Sequence, residues 1–255
     1  MVITSSQLVN LLMITRATAT FSKQLWIVRH GQAMHNPRAE AAKDNGCSHE
    51  EFLDLMRLDD TLDADLTDLG EEQAARVGRT MSWGDLDLIV SSPLSRAIRT
   101  ADLSTPCTTC SATKRIAVEN FREINGWLLN AKRRSVEELQ QRFPKWDFGE
   151  LTQNDDLWSN ELETESACSE RGYQGLCWIM QRQEKNILLV AHGGLLRFMM
   201  QQHPLVKMLD GRTNCDSHAL DGRFKNCEAR RYQMSWEQQQ EGGDSIVTLK
   251  EIDSQ

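Results

Sequence analysis

The chain has 255 residues and a formal charge of −8, from 29 Lys and Arg against 37 Asp and Glu. That length suits one α/β domain with a sizeable core, and the acidic balance argues against nucleic acid as a main partner. No run of about 18 apolar residues exists, so neither a helical membrane span nor a membrane partner is expected.

The first 39 residues hold Arg16, Lys23, Arg29 and Arg38 and no acid, which leaves −12 on the rest. Residues 1–24 read as an extension ahead of a folded domain at 25–255. Its Ser and Thr content is that of a transit peptide, although only one Arg precedes Lys23. The other reading is a disordered arm. A cytoplasmic location is expected, with organelle import through the extension left open, as are homo-oligomers. An apolar run at Leu25–Val28 predicts a buried strand. Residues 38–66 are charged, with a helical stretch near His49–Leu58, and read as an insertion. Thr67 is placed to cap a helix over about 68–81, whose first turn carries Asp68, Glu71 and Glu72. Leu86–Val90 predicts a second strand, and Ser92-Pro93 a cap and first residue for a helix from 93 to about 103. Residues 104–165 are long, polar and aromatic, and read as a second insertion. Ile187–Val190 predicts a third strand. Strands alternating with helices give a doubly wound, mostly parallel α/β sheet with helices on both faces. Insertions beyond the carboxyl ends of such strands form lids over a ligand.

Seven cysteines, an odd number, are scattered through the chain and read as reduced thiols. Cys107 and Cys110 have CxxC spacing, but no second pair completes a zinc site, so a loop with two thiols is expected.

The chemistry gathers at the strand ends. The first strand closes on Arg29-His30-Gly31 and the third on His192-Gly193-Gly194. A single strand-end histidine is commonly structural; two at equivalent ends are harder to dismiss. Arg96 lies in the first turn after the second strand, so all three strands deliver a positive-capable group to one edge. Arginine matches phosphate through parallel, charge-assisted hydrogen bonds. In an acidic protein this convergence implies a small anionic ligand, most simply a phosphate. His35, His49, His203 and His218 show no metal spacing and read as structural.

LWIVRHGQAMHN at 25–36, SSPLSRAIRTA at 91–101, FREINGW at 121–127 and AHGGLLRFM at 191–199 together resemble the histidine phosphatase superfamily in its phosphoglycerate-mutase-like branch. The resemblance spans about 25–235. Residues 132–158 and HPLVK at 203–207 are closest to a plant, algal and fungal subgroup. It implies a phosphohistidine on His30, with Arg29, Arg96 and His192 holding the phosphoryl oxygens and Asn36 adding a hydrogen bond. Glu123 would protonate the leaving alkoxide and later take a proton from water. No metal or cofactor is implied, since arginines and histidines supply the positive field. Gln32 departs from the acid found in many mutases. Arg133-Arg134 resembles the basic pair that binds a substrate carboxylate in mutases, but lies nearer Glu123; the alternative is a solvated charge run opening a helix. The reading is a phosphatase of a small phosphorylated metabolite, with a phosphoglycerate mutase as the alternative. A third reading, a catalytically silent binding protein of the same fold, has no need of His30, Arg96, Glu123 and His192 together.

Overall fold

The computed structural model describes residues 21–105, 113–210, 223–238 and 244–253. Most of the amino-terminal extension, Cys107, Cys110 and His218 lie outside them. Strand β1 (Phe21–Arg29) is followed by α1 (Pro37–Asp44), α2 (His49–Leu58) and α3 (Asp68–Thr80). Then come β2 (Leu88–Ser91), α4 (Ser95–Ser104), β3 (Lys114–Ala117), α5 (Val136–Arg142) and α6 (Glu165–Gln181). The chain closes with β4 (Asn186–Ala191), α7 (Gly193–Gln202), β5 (Val206–Asp210), β6 (Ala229–Gln238) and β7 (Ser245–Ile252).

The seven strands form one sheet in the order β3-β2-β4-β1-β6-β7-β5. The pairs β1–β4, β2–β4, β2–β3 and β5–β7 are parallel, while β6 runs antiparallel to β1 and β7. The sheet is therefore mostly parallel, as expected. Side chains alternate across it. Leu25 and Ile27 enter one core with Leu176 and Ile179 of α6 and Leu195 and Met199 of α7. Trp26 and Val28 enter the other with Ala74 of α3, Ile98 of α4 and Leu139 of α5. Burial of both faces is why these strands are continuously apolar.

Several expectations are corrected. β1 begins at Phe21, not Leu25, because its first residues pair with β6 beyond the reach of β4. Lys23 is tolerated there although buried, because its ammonium donates to the carbonyls of Arg182 and Glu184. Part of the second insertion belongs to the sheet, since β3 inside 104–165 pairs with β2. Helix α4 starts at Ser95 with Leu94 as its N-cap and no side-chain cap, so Ser92 and Pro93 precede it. Thr67 does cap α3, accepting from the Gly70 amide at 3.0 Å. No described helix is long and apolar enough to cross a membrane.

The two insertions meet. Asp60 accepts from the amides of Leu129 (2.7 Å) and Asn130 (2.8 Å), and the Asp63 amide donates to Leu129 O at 3.1 Å. The Arg57 guanidinium lies over the Trp127 ring, 4.9 Å from its centroid.

Candidate active site

Parallel register builds the centre of the site. Arg29 on β1 stands opposite Ala191 on β4, so the next residue on each strand is a histidine. The His30 and His192 rings lie 4.9 Å apart between centroids, and both are buried. On the other side of β4, Ser91 stands opposite Val190. That register puts Ser92 Oγ 2.7 Å from His192 Nε2. Ser92 thus serves the histidine rather than a helix cap.

His30 Nδ1 lies 2.6 Å from the Gly31 carbonyl oxygen. A carbonyl only accepts, so Nδ1 carries the proton of the neutral ring and Nε2 the lone pair. Nε2 accepts from Arg96 Nε at 3.4 Å. Burial foremost, then Arg96 and Arg29, hold the His30 pKa well below the usual histidine range. Burial, Arg96 and His30 do the same for His192. Both rings are neutral at pH 7, the form that a nucleophilic imidazole requires.

The arginines are held by neutral and acidic partners that leave donors over. Arg29 donates Nη1 to Phe224 O (3.0 Å) and Nη2 to Glu40 Oε1 of α1 (2.7 Å). Arg96, fully buried, donates Nη1 to Asn130 O at 2.7 Å. Burial pushes its pKa down to about 10 against the opposing pull of Glu123 and Asp63. Arg29 Nε, Arg96 Nη2 and His192 Nδ1 are buried and have no hydrogen-bond partner among the described residues. Buried donors are rarely left so. Arg29 and Arg96 each keep an unpaired guanidinium N–H and His192 an unpaired ring nitrogen, an arrangement that can receive an oxyanion.

Glu123 reaches the same place from the loop after β3. Arg171 of α6 fixes that loop, donating to the carbonyls of Asn120 (3.0 Å), Arg122 (2.9 Å) and Glu123 (3.1 Å). The Glu123 carboxylate accepts from the amides of Ile124 (2.9 Å), Gly194 (3.2 Å) and Leu195 (2.9 Å). It therefore sits at the amino-terminal end of α7, two residues from His192, where the helix dipole favours an acid. A Cβ on Gly194 would lie 2.5 Å from Glu123 Oε1, the end of a flexible side chain. Gly194→Ala should lower the melting temperature by a few degrees at most, because improved helix propensity offsets part of the loss when the carboxylate shifts on its three amides. Turnover of an alkyl phosphate should fall on the order of 100-fold, as a displacement of about 1 Å implies. Thermal melts and steady-state rates on the same preparation check this.

Asn36 is buried, and its Oδ1 accepts from the Ala33 amide at 3.2 Å, closing the turn after His30. Gln32 turns away, its Oε1 accepting from Thr67 Oγ1 at 2.9 Å. The basic pair divides. Arg133 is buried and its donors serve the insertion itself, bonding Glu119, Arg134 O, Thr152 and Asn154 O. It is a brace, and the expected substrate contact is corrected. Arg134 Nε lies 3.5 Å from Asp63 Oδ2. Neither opens a helix, since Ser135 caps α5 after them in a capping box. His203 is structural as expected, stacked on Tyr173 and 2.9 Å from Glu170.

Sequence reasoning missed Asp63 and His35. Asp63 is fully buried with φ +48°, and accepts from the Ser95 amide at 2.8 Å and the Ser95 hydroxyl. It thereby caps the buried start of the helix that carries Arg96, which Leu94 leaves without a side-chain cap. Burial pushes its carboxyl from the usual 3.8 up to about 6, against Ser95, Arg96 and Arg134. A raised folded pKa means tighter proton binding in the fold. Its contribution is complete below about pH 4 and is lost as pH rises to about 6. Across that window the stability of wild type relative to Asp63→Asn should fall by at most about 3 kcal/mol. Urea unfolding at steps of pH measures it; parallel curves would show that Asp63 titrates as an ordinary carboxyl. His35 is buried within electrostatic reach of Arg96 and Arg29.

The sequence of this fold and site has known relatives. Residues 25–213 match the histidine phosphatase superfamily (branch 1), and the chain belongs to that family. Two relatives from Arabidopsis thaliana share the length. "Phosphoglycerate mutase-like protein 1" is 29% identical over 262 residues, covering 89% of this chain and 86% of that protein. "Phosphoglycerate mutase-like protein" is 30% identical over 241 residues, covering 82% and 83%. Among solved structures, a putative alpha-ribazole-5'-P phosphatase from Escherichia coli covers 91% of this chain and 96% of its own at 20% identity, with a TM-score of 0.51. "Mycobacterial hydrolase 2" covers 89% of each chain at 17% identity, with a TM-score of 0.52. These two share the fold.

Proposed function

We propose that the protein is a metal-independent phosphatase of a small phosphorylated metabolite, acting through a phosphohistidine on His30. The observation that carries this reading is the His30 tautomer, with Nδ1–H on Gly31 O and the Nε2 lone pair among unpaired cationic and imidazole donors. His30 Nε2 attacks phosphorus as the ester oxygen leaves. Glu123 gives that oxygen its proton, and the departing alcohol is neutral. Arg29, Arg96 and His192 take the charge on the non-bridging oxygens. Water then attacks the phosphohistidine, Glu123 takes its proton, and inorganic phosphate and neutral His30 are restored. With Ser92 donating to Nε2, His192 Nδ1 carries the hydrogen offered to phosphate.

The names of the Arabidopsis relatives favour a second reading, phosphate exchange between the hydroxyls of phosphoglycerate. Against it, Arg133 is committed to bracing and Gln32 is bonded to Thr67. Supplying 3-phosphoglycerate with catalytic 2,3-bisphosphoglycerate separates them. Inorganic phosphate without 2-phosphoglycerate supports hydrolysis; fast interconversion with little phosphate released supports the mutase.

A further inference from the structure

His35 follows His30 by a tight turn. The Asn36 amide donates to Ala33 O at 2.8 Å, Asn36 Oδ1 takes the Ala33 amide, and the Met34 amide donates to Asp65 O at 2.9 Å. The turn faces Met34 outward, 54% exposed, and His35 inward, 3% exposed. His35 Nδ1 is buried and has no hydrogen-bond partner among the described residues, the same condition as Arg29 Nε, Arg96 Nη2 and His192 Nδ1. The ring is close enough to this group that Arg96 and Arg29 both act on it, and it acts on both His30 and His192. His35 thus lies within electrostatic reach of both histidines and both guanidinium groups. A histidine with a structural duty alone would have its ring nitrogen satisfied there, as His203 does through Glu170.

We propose that His35 is a further substrate-binding residue of this site, donating a hydrogen bond from Nδ1 to a non-bridging phosphoryl oxygen. The inference rests on the phosphatase reading of the pocket. A neutral imidazole suits the position. Burial and the two arginines keep it uncharged, so it adds a donor without a third positive charge crowding Arg29 and Arg96. The complement then becomes four donors on four residues for one phosphoryl group.

The test is the binding of inorganic phosphate, by calorimetry, to wild type, His35→Phe and His35→Asn. Phe keeps the ring volume and removes both nitrogens; the Asn amide nitrogen falls near the place of Nδ1. Phosphate affinity should weaken about tenfold in His35→Phe, the weight of one hydrogen bond to a charged oxygen. His35→Asn should recover most of that loss, and KM for an aryl phosphate should follow the same order. Packing alone would not produce rescue by a smaller, polar residue. Unchanged affinity in His35→Phe, or equal losses in both variants, overturns the proposal. Should His35→Phe fail to fold, His35→Leu against His35→Asn makes the same comparison. Binding needs no turnover, so the two readings fail separately. Wild type that does not bind phosphate removes the phosphatase reading. Wild type that binds while His35→Phe binds equally well removes only the role of His35.

Discussion

His30→Ala should lower turnover by about 10³-fold or more, because the covalent route disappears with its nucleophile. The effect should be this large because the described site has no substitute. Of the other two imidazoles, His192 has its Nε2 engaged by Ser92, and His35 is the one assigned to hold phosphate through Nδ1. Cys168 and Cys227 are buried, and burial raises both thiols well above the range in which a thiolate forms at neutral pH. Brief incubation with ³²P-labelled substrate, followed by denaturation, should leave acid-labile, base-stable label on wild type and none on the variant. Label on a serine or cysteine, or label persisting on His30→Ala, would sink the phosphohistidine. Phosphate binding should survive in the variant, since Arg29, Arg96 and His192 are anchored independently through Glu40, Asn130 and Ser92.

Glu123→Gln should separate substrates by their leaving groups. An alkyl phosphate needs a proton on its departing oxygen and should lose about 10²–10⁴-fold in kcat. An aryl phosphate, whose oxygen leaves readily as an anion, should lose far less in the first step. The geometry adds a stability term. Both Glu123 oxygens accept backbone amides, so an amide group in place of one leaves an N–H of the α7 terminus or of Ile124 unpaired. That should cost about 1–3 kcal/mol, which thermal melting measures. Equal kinetic losses on both substrate types would mean that Glu123 only holds the α7 terminus in place.

Much of the site was legible in the sequence because strand-end chemistry is local. A short apolar run followed by Arg-His-Gly or His-Gly-Gly states both that a strand is buried and where it stops. The motif order then linked His30, Arg96, Glu123 and His192 through a family resemblance, which the match over residues 25–213 bears out at the level of the family. The other half of the sheet was not read. β6 alternates buried Tyr232 and Met234 with polar neighbours, and β7 buries Val247 and Leu249 on either side of Thr248. A half-polar strand has no continuous apolar run, and its place beside β1 is set by pairing across some two hundred residues.

What the sequence determined by itself was the kind of chemistry: which side chains stand at the carboxyl ends of buried strands, and that they suit a phosphate. The tertiary structure decided which of the remaining polar residues join them. Arg133 and Arg134 are adjacent in sequence, yet Arg133 is consumed by carbonyls of residues 134, 152 and 154 while Arg134 reaches Asp63. His35 and His203 have the same chemistry, yet one has a free ring nitrogen among the arginines and the other is satisfied by Glu170. The physical reason is that burial and hydrogen-bond satisfaction depend on what other segments bring to a residue. Asp60, Asn130 and Arg96 form one chain of bonds from three distant stretches, and only the folded sheet with its two joined insertions brings them into register.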